Sequence, residues 1–292
     1  MRPRPGVGRT GLAVRILVTN DDGVFAPGIA ALARGLADAA VGDVVVVAPL
    51  VDHSGAGAAV GAVYERETIP YESVEVRGLE DVATFGIDGP PALAVILACI
   101  GGFGPPFDLV LSGVNHGVNA GRSALHSGTV GAALTAAQFG LRALAVSVAW
   151  GSDPVPWETP VGLAVRAVPV LATAAPSTVL NLNVPAVTPD GLRGVRHAGL
   201  GSTGLIRAAR RDPGDHPADA ATQDRTGGAI SLVLRGGDGS DPDAERREAD
   251  PGSDAAALAD GWATLTALVG IREDSSAPTV ETVAKAVAAL AT

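Results

Sequence analysis

The feature that most constrains this chain is Ile16-Leu17-Val18-Thr19-Asn20-Asp21-Asp22-Gly23-Val24, an apolar run that stops at two adjacent carboxylates. The run is short, β-branched and closed by a glycine turn, which reads as a buried parallel strand. In open α/β sheets ligands bind just beyond the carboxyl ends of the strands, where Asp21 and Asp22 fall. Two ionised carboxylates side by side repel each other, and a cation held between them relieves that repulsion. A solvated Asx turn is the plainer reading of the same residues, so the argument rests on what recurs further along.

Strand-like and helix-like segments alternate through the first two thirds of the 292 residues, which predicts a parallel sheet covered on both faces. Strands are expected at Val14–Thr19, Asp43–Ala48, Phe107–Ser112, Ala143–Ala149 and Thr178–Val184. Helices are expected at Gly28–Ala39 behind Pro27, at Pro91–Ile100, at Thr129–Phe139 and at Leu163–Ala174 despite Pro169. Val63–Val76 reads as a hairpin or edge excursion, and Gly113–Ser127 as a polar loop. From Arg207 to Ala255 the composition shifts to Asp, Arg, Gly and Pro, a loop-rich stretch with one strand-like run at Ile230–Leu234. A late strand at Gly261–Val269 and an amphipathic helix at Val280–Leu290 close the chain. The expected organisation is a flexible extension over residues 1–13, a core over 14–185 and a C-terminal region over 186–292.

Three further polar clusters follow predicted strands: His53-Ser54-Gly55, Ser112-Gly113-Val114-Asn115-His116-Gly117-Val118-Asn119, and His126-Ser127-Gly128-Thr129. Each also has a local reading as a glycine-rich turn or a helix N-cap. Taken together they offer oxygen donors from Asp21, Asp22, Ser54 and Asn115, a set that suits Mg²⁺ or Mn²⁺ better than Zn²⁺. The helix start at Ser127-Gly128-Thr129 is a natural phosphate cradle built without lysine.

Composition excludes several alternatives. The only lysine, Lys285, has no P-loop around it, which removes the P-loop nucleoside-triphosphatase reading. Strand one is followed by Asp-Asp-Gly rather than Gly-x-Gly-x-x-Gly, which argues against a dinucleotide-dependent oxidoreductase. Asn20 stands where a haloacid-dehalogenase-type phosphatase needs its nucleophilic aspartate. The lone Cys99 forbids disulfides within the chain and Cys-based metal sites. A net charge of -10 argues against nucleic-acid polymers. No apolar run reaches membrane-spanning length and the N-terminus does not fit a signal peptide, so the expected location is the cytoplasm.

With those residues in place, the sequence resembles the SurE family (survival protein E), divalent-metal-dependent 5′/3′-nucleotidases. The resemblance is carried by Ile16–Val24 with Ala26-Pro27-Gly28, Val46-Val47-Ala48-Pro49 with Ser54-Gly55, and Asp108–Asn115 with Gly117 and Asn119. Ser127-Gly128-Thr129-Val130, Leu144–Ser147 and Leu180–Pro185 extend it, with a fainter echo at Ser253-Asp254 and Gly261–Thr266. It implies a Rossmann-like, mainly parallel sheet flanked by helices, with a C-terminal part used to form a homodimer or homotetramer. It implies one Mg²⁺ or Mn²⁺ per subunit on Asp21, Asp22, Ser54 and Asn115, with Asp21 or Asp22 handling the attacking water. Asn119, Ser127, Gly128 and Thr129 would hold the phosphate of a nucleoside 5′- or 3′-monophosphate, with short polyphosphate a further candidate substrate. The roles of His53, His116 and His126 stay open. So does a non-catalytic nucleotide-binding relative, because Leu93 and Ala94 within Gly89–Ala94 depart from the family pattern; the departures at Asp52-His53 and His126 leave substrate preference open.

Overall fold

The computed structural model describes residues 14–202, 207–210, 232–235 and 250–271. The extension at 1–13, most of the loop-rich stretch and the helix expected at Val280–Leu290 lie outside the described residues. The core is an α/β sheet of nine strands. In chain order it comprises β1 (Arg15–Thr19), α1 (Pro27–Asp38), β2 (Asp43–Pro49), β3 (Tyr71–Ser73), β4 (Ala83–Ile87) and α2 (Pro91–Cys99). These are followed by β5 (Leu109–His116), α3 (Gly128–Gln138), β6 (Arg142–Val148), α4 (Glu158–Thr173), β7 (Val179–Val184) and β8 (Val195–His197). A separate antiparallel ribbon pairs β9 (Arg207–Arg210) with β10 (Leu232–Arg235). Then come α5 (Asp254–Ala259) and β11 (Ala263–Leu268).

The spatial order is β3-β4-β2-β1-β5-β6-β7-β11-β8, and all neighbours from β4 to β7 are parallel. The antiparallel pairs are at its flanks, β3 on β4 and β11 on β7. Side chains alternate across the strands, so Ile16 and Val18 face one core while Leu17 faces the other. The first core packs Ile29, Leu32 and Leu36 of α1 and Val168 and Leu171 of α4. The second packs Leu93 and Val95 of α2 and Val130, Ala132 and Ala136 of α3. The apolar residues of α1 recur at helical spacing behind Pro27 in the first turn, so its inner face is legible in the sequence.

The order in which strands are added reverses beside β1: the next strand, β2, lies on one side and β5 on the other. The carboxyl ends of β1 and β5 therefore frame the switch-point crevice of a doubly wound sheet. Among the described residues no helix is long and apolar enough to cross a membrane.

Several expectations need correction. The third long strand does not stop at Ser112 but continues to His116, because pairing with β6 resumes at Asn115–Ser147 after an irregularity between Ser112 and Asn115. Helix α4 begins at Glu158, more than a turn before the expected Leu163, since a proline in the first turn, Pro160, breaks no helical hydrogen bond. Strand β4 was not anticipated; it is five residues long and interrupted by Gly86, so it carries little periodic signal. The excursion at Val63–Val76 contains the three-residue edge strand β3 paired with β4.

The C-terminal region is stitched to the crevice by Asp254, a fully buried carboxylate. It accepts backbone N–H bonds from Gly121 (2.8 Å), Gly201 (3.0 Å) and Ala255 (2.9 Å). Removing that carboxylate leaves buried donors without an acceptor, each costing about 1–3 kcal/mol. Asp254→Ala is therefore expected to destabilise the fold by about 3 kcal/mol, read from the shift of the urea unfolding midpoint at constant slope.

Candidate active site

A cleft of about 570 Å³ opens at the switch point and brings together Asp21, Asp22, Ser54, Asn115, Asn119 and Ser127. These residues span more than a hundred positions of sequence, and each is delivered by the end of a strand or the start of a helix. Asp21 and Asp22 follow β1, and Ser54 lies in the loop after β2. Asn115 ends β5, Asn119 follows it, and Ser127 caps α3. The β2 loop is fastened in place by His53 N–H donating to the Asp21 carbonyl (2.7 Å) and Gly57 N–H to the His126 carbonyl (3.0 Å).

Asp21 is only 3% exposed. Burial raises its carboxyl above the usual range, opposed first by the hydroxyl of Thr129 and then by backbone N–H groups that include those of Thr129 and Gly128. The Thr129 hydroxyl donates to Asp21 Oδ1, so the α3 N-terminus is aimed at this carboxylate. Gly128 makes the approach possible: a Cβ there would fall 2.6 Å from the Asp21 Cβ and 2.8 Å from its Oδ2. Thr129, expected at a substrate phosphate, has a fully buried side chain whose hydroxyl donates to Asp21.

Asp22 is half-buried. Burial, then the neighbouring charges of Asp21 and Asp52, push its carboxyl up to about 7. Asp52 is held below the usual carboxylate range by the Ser54 hydroxyl and by the Ser54 N–H, which donates to Asp52 Oδ1 at 2.7 Å. The crevice thus carries three carboxylates, and sequence reasoning had noted Asp52 only as a departure from the family pattern.

The remaining donors have defined orientations. Asn115 donates its amide N–H to the Gly117 carbonyl, which leaves its Oδ1 as the free acceptor. Ser127 Oγ accepts the Val130 N–H at 3.1 Å as a helix cap, and its own O–H remains available to the cleft. Asn119 is the centre of a small network. Its N–H donates to Asn183 Oδ1 (2.7 Å), and its amide donates to Ser147 Oγ (2.9 Å). Its carbonyl accepts from Asn181 (2.8 Å) and Asn183 (3.2 Å). One Asn119 amide hydrogen is left over. Ser147, Asn181 and Asn183 are buried supports that no spacing rule flagged, although the alternation Leu180-Asn181-Leu182-Asn183 placed amides on one face of β7.

His116 and His126 both line the cleft. Burial lowers the His116 pKa, which favours its neutral form. Among the described residues no group of three or more His, Cys, Asp or Glu side chains converges as a metal site. A cation here would depend on the mixed set of two carboxylates, a serine hydroxyl and an asparagine carbonyl. That all-oxygen set, with one carboxyl driven up by burial and then by its neighbours' charge, fits a hard dication.

Comparison with known proteins agrees with this architecture. Residues 16–206 match the family model described as survival protein SurE. A protein of Chloroflexus aggregans named 5′-nucleotidase SurE is 37% identical over 255 residues, covering 86% of this chain and 91% of that one. Another of that name from Geobacter metallireducens is 40% identical over 183 residues, covering 62% and 68%. The crystal structure of the SurE protein from Aquifex aeolicus superimposes with a TM-score of 0.70 at 28% identity, covering 91% of this chain and 97% of that one.

The raised Asp22 pKa carries a consequence for stability. Its carboxyl binds a proton in the folded state up to about pH 7, whereas the unperturbed group releases it near 3.8. Its contribution is therefore fully present below about 3.8 and is lost as pH rises through about 7. In chelator, Asp22→Asn should match the wild-type melting temperature near pH 4 and exceed it increasingly up to pH 8. A difference that stays flat with pH would contradict the raised pKa.

Proposed function

The chain belongs to the SurE family, and on that premise we propose that it is a phosphomonoesterase that releases phosphate from nucleoside 5′-monophosphates. Hydrolysis of 3′-monophosphates by the same site is part of the proposal. The observation that carries it is the convergence of Asp21, Asp22, Ser54 and Asn115 on one crevice with Asn119 and Ser127. Relatives named 5′-nucleotidase support the reaction class.

In this reading Asp21, Asp22, Ser54 and Asn115 hold one Mg²⁺ or Mn²⁺ ion. When bound, that ion supplies Lewis-acid polarisation of the phosphoryl group and offsets the negative charge of the crevice. Asp21 is fixed by Thr129 and the α3 N-terminus, so it serves as the rigid anchor. Asp22 is met by the backbone N–H of His116 and by no side-chain donor among its described hydrogen bonds, which leaves it freer than Asp21 to orient the attacking water and accept its proton. The water oxygen bonds to phosphorus as the ester P–O bond breaks, its proton passes to Asp22, and the departing alkoxide takes a proton from the solvent of the open cleft. The Ser127 hydroxyl and the spare Asn119 amide hydrogen hold the phosphoryl oxygens in line.

Phosphate release from adenosine 5′- and 3′-monophosphates should require Mg²⁺ or Mn²⁺ and vanish in excess chelator. Asp22→Asn should lower kcat by about 10²–10⁴-fold with an unchanged far-UV spectrum. Chelator-resistant turnover, or a well-folded variant of full activity, would sink the assignment. Light scattering on the same preparation tests the homodimer or homotetramer.

A further inference from the structure

Two of the three tryptophans in a chain with 3% aromatic residues line this one cleft. Trp150 follows β6 and Trp157 precedes α4. Between their rings lies His116: its ring centroid is 3.8 Å from that of Trp150 at an interplanar angle of 36°, and 5.8 Å from that of Trp157 at 68°. The indole edge of Trp150 rests against Gly117, where a Cβ would come within 2.6 Å of Nε1. Trp150 is thus supported on one face and along one edge, yet it stays 46% exposed. A large apolar ring held this firmly and left open inside a concave site is a surface prepared for a flat partner.

Its position sets the scale of that partner. Strands lie about 4.8 Å apart, and β6 is two places from β1, so the end of β6 is about 10 Å from the acidic pair. That span is comparable with a mononucleotide and exceeds what a bare phosphate needs.

Resting on the nucleotidase reading, we infer that Trp150, backed by His116, is the stacking platform for the nucleobase. It selects phosphate esters that carry an aromatic base over esters that lack one. The contact is to the π-face, which all bases share, so it gives affinity and orientation without reading the base edge. Trp150 acts through KM, because the base is remote from the bond that breaks.

The test compares kcat/KM for adenosine 5′-monophosphate and ribose 5-phosphate. In Trp150→Ala the ratio of the two should fall about tenfold or more, chiefly through the KM of the nucleotide. Trp150→Phe should retain most of the ratio. A ratio that does not move, or an equal loss on both esters, overturns the platform. A second measurement needs no turnover: in chelator, adenosine should quench tryptophan emission of the wild type, and inorganic phosphate should not. Trp150→Phe should lack the adenosine component. A wild type that adenosine fails to quench, or an equal quench in Trp150→Phe, also overturns it. If the quench behaves as expected while the wild type hydrolyses neither ester, the base platform stands and the nucleotidase reading fails.

Discussion

The contact between Asp21 and the start of α3 governs the rest of the crevice. A carboxylate this deeply buried persists only where hydrogen-bond donors replace the water it has lost. Here the Thr129 hydroxyl and the first amides of a helix supply them, and Gly128 lets the backbone close in. The helix is in turn held against the second core by small residues, from Val130 to Ala136. Packing, helix polarity and carboxylate placement are therefore one arrangement. Asp22, next along the chain, has its pKa raised first by its own burial and then by the charges of Asp21 and Asp52 beside it.

Much of the fold was legible because its signals are periodic. The β-branched runs after Val14, Asp43 and Leu109 define strands buried on both faces, and the helical spacing in α1 marks its one buried face. The site was legible for a related reason: in a doubly wound sheet the residues just after strands converge, so short polar clusters there can be pooled across the chain. What escaped the sequence depends on tertiary context. The continuation of β5 through Gly113 and Val114 is set by pairing with β6, not by local propensity. The role of Thr129 is set by which buried group lies opposite its hydroxyl. Asp52 looked like a loop residue until folding brought it near Asp22. Trp150 and Trp157 lie in a stretch rich in Gly and Pro that reads as a connection, and only the folded structure brings both to the same cleft.

The C-terminal strands also alter how the crevice is understood. Asn119 is held by Asn181 and Asn183 of β7, and β7 is paired on its far side with β11. Asp254, at the start of α5, grips Gly121 two residues beyond Asn119. The loop that carries the Asn119 amide is therefore braced from a distant part of the chain, and its rigidity is a property of the whole sheet.

The irregularity in β5 has a stereochemical consequence. Three residue steps separate Ser112 from Asn115, but only two separate their partners Ala145 and Ser147. The extra residue returns Asn115 to the face that Ser112 occupies; an uninterrupted strand would turn it to the opposite one. Removing the extra residue would leave two steps against two and keep the asparagine on that face, whereas straightening the strand with all three steps in place would turn it away. Which way the asparagine points is thus decided by how the neighbouring strand receives it, and no count of residues from the serine foretells it.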